Sequence, residues 1–194
     1  MGSAKVPTIL DNRCENTILA ALKRLMLQAQ RLDIATGAFE IGALAALAPD
    51  WKPLEGLRVL MGDETTRRTK QELIQALMRA NNENIETEKE RDDTLTGIAA
   101  VREAITRRQI QVRVYSQSRF HAKAYVVQTG AALPVNFAIV GSSNCTTPGL
   151  TQNLELNLLT SDQIHVDELR RWYEGLWEEA EEVNAELLKV VGAI

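Results

Sequence analysis

The sequence predicts an α/β fold, a sheet layered with helices, and two patterns carry that prediction. Between residues 15 and 114, apolar residues fall in turn at helical and at strand spacing. After residue 114 come three short strand-like runs in succession, then one long amphipathic stretch. A chain of 194 residues is long enough to bury a sizeable core as one domain.

Residues 15–30 carry Ile18, Leu19, Leu22, Leu25, Met26 and Ala29 at helical spacing. Residues 32–36 read as a short strand, with Gly37 allowing a turn. A second helix over 40–47 is stopped before Pro49. Residues 57–61 read as a buried strand ending at Gly62-Asp63. A polar loop with Arg67, Arg68 and Lys70 leads to a helix over 70–80. Residues 81–93 hold almost nothing apolar and read as a solvated helix extension or a loop. A helix over 94–108 turns Ile98, Val101 and Ile105 inward, and Ile110, Val112 and Val114 alternate as a strand. Ser161-Asp162 is a helix start. That last helix runs to about residue 190 on a stripe of Leu169, Trp172, Tyr173, Leu176, Ala180, Val183 and Leu187.

Hydrophobic residues make up 45% and charged residues 25%, which places the chain among ordinary globular proteins. No apolar run is long enough to span a bilayer, and the N-terminus lacks the apolar region of a secretory signal. Cys14 and Cys145 fit no metal-ligand spacing and read as free thiols of a reducing, cytoplasmic compartment. The net charge is −4, but its distribution says more than its sum. Acid concentrates in 83–93 and 178–182. From 107 to 157 the charges are Arg107, Arg108, Arg113, Arg119, Lys123 and one acid, Glu155. A locally basic stretch thus lies within an acidic protein.

Chemistry-bearing residues crowd into that same stretch. His121 and Lys123 are two apart, so a strand projects both from one face. Ser142 and Asn144 follow the apolar run 137–140, beyond the turn that Gly141 allows. Glu155 alternates with Leu154, Leu156 and Leu158 and so leaves its strand opposite those leucines. Cleavage of a phosphodiester needs a nucleophile, charge on the non-bridging oxygens and an acid for the leaving oxygen. His121 is the reasonable nucleophile, and Glu155 is suited to hold its other ring N–H. Lys123 offers a compact positive charge, and Ser142 and Asn144 offer neutral donors. Taken singly, each residue reads as a turn, a solvated cation or an exposed strand position. Phe39 suits either stacking of a nucleotide or a core position. Trp51, Trp172 and Trp177 read as core or interface. No His/Asp/Glu constellation for a metal is visible, so the expected chemistry needs no metal and no cofactor.

Taken together, this stretch resembles the phospholipase D superfamily, whose signature is H-x-K-x4-D followed by G-S-x-N. His121 and Lys123 match the first part and Gly141-Ser142-Ser143-Asn144 the second. Asn153, Glu155 and Asn157 resemble the family's next strand. The family's Asp falls at Gln128, a departure, and residues 129–136 look like a hairpin loop inserted there. The resemblance implies a mixed sheet between helical layers and a covalent phosphohistidine intermediate. Family enzymes use two HxK motifs, whereas this chain has only His121 and His165, and His165 has no Lys two residues on. A second motif is therefore expected from another copy, across a homodimer.

The run also resembles nuclease domains fused to Swi/Snf-type helicases and those of some restriction enzymes. The leading expectation is therefore a dimeric DNA phosphodiesterase, DNA rather than RNA, possessing no membrane attachment and covalently attached to a helicase domain in a longer protein. Arg107, Arg108, Arg119 and Lys123 are its candidate phosphate contacts, with binding that falls with salt. Two alternatives stand beside it. One is a non-catalytic nucleic-acid-binding or interaction module, motivated by Gln128. The other is a lipid or small-molecule phosphodiesterase.

Overall fold

Three parallel strands and an antiparallel meander share one mixed sheet in the computed structural model, which describes residues 9–62, 88–130 and 135–191. Its elements are β1 (Ile9–Leu10), α1 (Ile18–Met26), β2 (Ala29–Thr36), α2 (Ile41–Ala46), α3 (Ala48–Trp51) and β3 (Gly56–Gly62). Then follow α4 (Glu88–Thr106), β4 (Ile110–Tyr115), β5 (Lys123–Thr129), β6 (Phe137–Gly141), α5 (Thr147–Thr151) and β7 (Asn157–Thr160). The chain closes with α6 (Gln163–Glu179), β8 (Glu181–Glu182) and α7 (Asn184–Val191). The strand order is β1-β7-β6-β5-β2-β3-β4-β8. β2, β3 and β4 run parallel, and every other neighbouring pair is antiparallel. The expected α/β sandwich with a mixed sheet is the fold observed.

The two faces of the sheet are covered differently. On one, α1, α2 and α4 press Leu22, Leu25, Leu44 and Val101 onto Leu32, Ile34, Val59, Tyr125 and Ile139. On the other, α6 lays Val166, Tyr173 and Trp177 over Ala35, Leu60, Ala124, Val126 and Ala138. Small strand residues on that second face let the helix approach closely.

Four boundaries differ from the sequence reading, each for a physical reason. The helix expected over 15–30 spans only Ile18–Met26, opened by Thr17, whose hydroxyl accepts from the Ala20 N–H. From residue 29 the backbone pairs with β5 instead, and from Arg31 it also pairs with β3. Pro49 does not merely stop a helix; it sits in the first turn of α3, where a missing N–H costs nothing. The strand expected around Glu155 begins only at Asn157, leaving Leu154 and Leu156 77% and 66% exposed. The last helix breaks at Ala180, which is extended (φ −91°, ψ 149°). There β8 pairs with β4, and the Asn184 amide takes the Val112 N–H and donates to the Ile110 carbonyl. An otherwise unpaired strand edge outweighs continued helical spacing. Residues 88–93 are helical; Arg67, Arg68, Lys70 and the helix expected over 70–80 lie outside the described residues.

Candidate active site at one end of the sheet

Backbone register brings the chemistry to one end of the sheet. β2, β3 and β4 finish level with one another, Thr36 opposite Met61 and Gly62 opposite Tyr115. β5 runs the other way and so begins there, Lys123 opposite Thr36. β6 ends there too, Gly141 opposite Asn157, the first residue of β7. Segments leaving or entering at this end carry Gly37, Ala38, Arg119, His121, the 142–145 turn and Glu155. The crevice beyond the carboxyl ends of parallel strands is where open α/β sheets place ligands.

His121 is exposed and lies just before β5. Lys123 is 8% exposed, and its ammonium folds back on the histidine. It donates to the His121 carbonyl at 2.9 Å and lies 3.0 and 3.2 Å from Nδ1 and Nε2 of the ring. Such a lysine donates to whichever ring nitrogen lacks the proton. Burial pushes the Lys123 pKa below its ordinary value, against the upward pull of the Glu155 carboxylate. A methyl group placed on Gly37 would come within 3.3 Å of His121 Cα and Cδ2 and of Lys123 Nζ. Glycine there lets the β2 end approach the pair closely.

The GSSN turn supplies the opposite wall. Gly141 admits no Cβ, which would run into the Leu156 carbonyl oxygen. Ser142 Oγ donates to the Glu155 carboxylate and accepts from the Leu156 N–H. Ser143 is buried and shares two hydrogen bonds with Asn157. Asn144 Oδ1 accepts from the Ala38 N–H at 2.9 Å, which leaves its amide NH2 as the donor for a ligand. Thr36, wholly buried, ties the turn down through the Cys145 N–H at 3.0 Å. Sequence reasoning missed Thr36 and treated Gly37 only as a turn. The one available signal was a hydroxyl and a glycine closing an apolar strand.

Other expected residues are placed elsewhere. Within one chain no hydrogen bond joins Glu155 to His121; its carboxylate goes to Ser142. Arg107 and Arg108 lie before β4, at the other end of the sheet. Arg107 pairs with Glu103 and Arg108 with Glu182. Arg108 has φ 60° and closes α4 in the left-handed region. Neither contacts the site, because β4 stands between. Phe39 is 2% exposed, bridged to Cys145, and belongs to the core. Arg113 donates to the Trp177 carbonyl and stacks on its indole. His165 is an exposed residue of α6, 3.6 Å from Asp162. Arg119 is exposed, two residues before His121. Burial pushes the Cys145 thiol up to about 12, so it offers no thiolate. Among the described residues no group of three or more His, Cys, Asp or Glu could hold a metal ion, and no helix is long and apolar enough to cross a membrane.

Residues 22–177, which include this whole arrangement, match the family described as cardiolipin synthase, PLD-like domain. The chain belongs to the phospholipase D-like family. By sequence, no curated protein matches it. Among solved structures, NucT from Helicobacter pylori is similar at 12% identity and TM-score 0.52, over 85% of this chain and 90% of that one. Nuc from Salmonella typhimurium, a phospholipase D family member, is similar at 12% identity and TM-score 0.50, over 84% and 88%. Phosphatidylserine synthase from Haemophilus influenzae is similar at 14% identity and TM-score 0.52, over 95% of this chain and 42% of that one. At such identities the likeness is one of fold.

The departure at Gln128 lies away from this phospholipase D-like site. Residues 123 and 128 are an odd number apart on β5 and face opposite sides. Lys123 faces the site, while the Gln128 amide donates to Asp33 at 2.7 Å under α6.

Proposed function

We propose that this protein is a metal-independent DNA phosphodiesterase working through a phosphohistidine on His121, its site completed by a second copy. The carrying observation is the exposed His121 ring beside the ammonium of the buried Lys123, at the end of the sheet that also carries the Asn144 amide. In the reaction one ring nitrogen of His121 attacks phosphorus while the phosphorus–oxygen bond to the leaving group breaks. The leaving oxygen takes a proton from His121 of the partner subunit. Water then attacks the phosphohistidine, giving its proton to that second histidine, and the phosphorus–nitrogen bond breaks. Lys123 and Asn144 hold the non-bridging oxygens, and Glu155 orients a histidine once both copies are in place.

Support for two copies comes from the sheet edge. Ile9, Leu158 and Val140 stand side by side across β1, β7 and β6, 47%, 48% and 38% exposed. α6 does not reach them, and Leu156 extends the row toward Ser142. An apolar row beside the site suits a two-fold contact.

The test is cleavage of single- and double-stranded DNA with and without EDTA. Cutting should persist in EDTA and leave an acid-labile phosphohistidine. Activity that vanishes in EDTA and returns with Mg²⁺ would remove this mechanism. Two further results are expected. Mixing His121→Ala protein with wild type should poison mixed dimers, each lacking either nucleophile or acid; fully active heterodimers, or an active monomer in ultracentrifugation, would count against the shared site. Glu155→Gln should keep the Ser142 hydrogen bond and the fold but cut more slowly, roughly tenfold or more. Its loss should be smaller than that of His121→Ala, and wild-type rates would remove the orienting role.

A further inference from the structure

Phe39 is buried, but a different aromatic group stands beside the histidine. Phe120 directly precedes His121. Its ring centroid is 5.8 Å from that of Tyr115 and 6.5 Å from that of Trp172, with the Phe120 and Trp172 planes only 16° apart. Tyr115 ends β4 level with Gly62, so the group sits at the same end of the sheet as the site. Within α6, Tyr173 turns into the core at 1% exposure, whereas Trp172 stays 40% exposed. Exposed arginines, Arg119 and Arg171, immediately precede Phe120 and Trp172. Among the described residues neither is held in an ion pair. Arg171 Nε donates to the Asp167 carbonyl at 3.3 Å, leaving the rest of its guanidinium free of ion pairs. Two rings and two exposed cations thus sit on the α6 side of the sheet end that carries the reactive histidine.

We infer that Phe120 and Trp172 form a stacking platform for an unpaired base next to the phosphate at His121, so that the substrate is single-stranded nucleic acid. This rests on the nuclease reading and narrows it. A base in a duplex has both faces covered by its neighbours, and only an unpaired strand can lay a face on Trp172. Arg119 and Arg171 meet the adjoining phosphates, where a planar fork matches the oxygens. A lipid headgroup would use the cations but not the parallel rings.

Trp172 also provides the readout, because Trp51 and Trp177 are 1% and 4% exposed. The full chain carrying His121→Ala, which stops turnover, is titrated with oligothymidylate, with an abasic strand of equal length, and with a duplex. Oligothymidylate should quench tryptophan emission and bind more tightly than the abasic strand or the duplex. Adding Trp172→Ala should weaken oligothymidylate binding about tenfold and leave the abasic strand unchanged, while Trp172→Phe should restore most of the loss. Equal affinity for the thymidylate and abasic strands, or no effect of Trp172→Ala, would overturn the platform yet leave the nuclease reading standing. Binding of neither strand would sink both. Emission that shifts on anionic phosphatidylglycerol vesicles but not on oligothymidylate would assign the aromatic group to a membrane instead.

Discussion

Cleavage is expected to fall on the order of a thousandfold or more in His121→Ala, with the fold intact. The ring is exposed, and its hydrogen-bonding partner is the Lys123 ammonium, so little packing is lost. Unfolding in urea should move by no more than about 0.5 kcal/mol, the range for surface positions. Lys123→Ala should also lower cleavage severely, because it removes the charge facing the phosphate. It should cost more stability than His121→Ala, since the lysine stem is buried and the ammonium satisfies a carbonyl. Retention of the wild-type rate in purified His121→Ala would transfer the nucleophile elsewhere, and no second HxK exists in this chain to receive it.

The largest loss of stability is expected from Arg58→Ala. Arg58 forks onto Asp33 at 2.6 and 2.9 Å and onto Glu174 of α6 at 2.6 and 3.0 Å. Its guanidinium also lies 5.1 Å from the ring centroids of both Tyr173 and Trp177. Burial works against the charged guanidinium, but the Asp33 and Glu174 hydrogen bonds more than offset it and raise its pKa. Removing Arg58 leaves the Asp33 carboxylate, 1% exposed, with Gln128 as its remaining side-chain donor. Breaking a buried pair in this way costs about 3–5 kcal/mol, read as a fall in the urea midpoint. Arg58→Lys should recover only part, because an ammonium cannot fork to two carboxylates.

The same network makes Gln128→Asp, which restores the family's motif residue, destabilising rather than activating. It would set a second carboxylate against Asp33 on a guanidinium already shared with Glu174. Asp33→Asn combined with Gln128→Asp should recover most of the loss, since amide and carboxylate then exchange strands. A stabilised or more active Gln128→Asp single variant would contradict this account. The network also has an acid limb. Hydrogen bonds from Arg58 chiefly hold the Glu174 carboxyl below its ordinary 4.5, so that contribution is present above that pH and is lost as the pH falls through the lowered value. With Glu174 45% exposed, the limb should be shallow.

Spacing along the chain was enough to show the α/β class, most strands, and the order His121, Lys123, Ser142, Asn144, Glu155. These depend on period, on glycine at turns and on residue type, all of which act over a few neighbours. Helix ends were less legible, because the start of β2 and the break at Ala180 depend on which distant strand needs backbone partners. The basic run from 107 to 123 reads as one patch in sequence, yet β4 carries Arg107 and Arg108 to one end of the sheet and Arg119 and His121 to the other. Of the two readings open for Phe39 the core one holds, while Trp172 stays 40% exposed, since only packing decides which ring a helix layer covers. Gln128 looked like a gap in the motif. The pairing of β2 with β5 brings Asp33 against it, a hydrogen bond between residues 95 apart that spacing along the chain does not reveal.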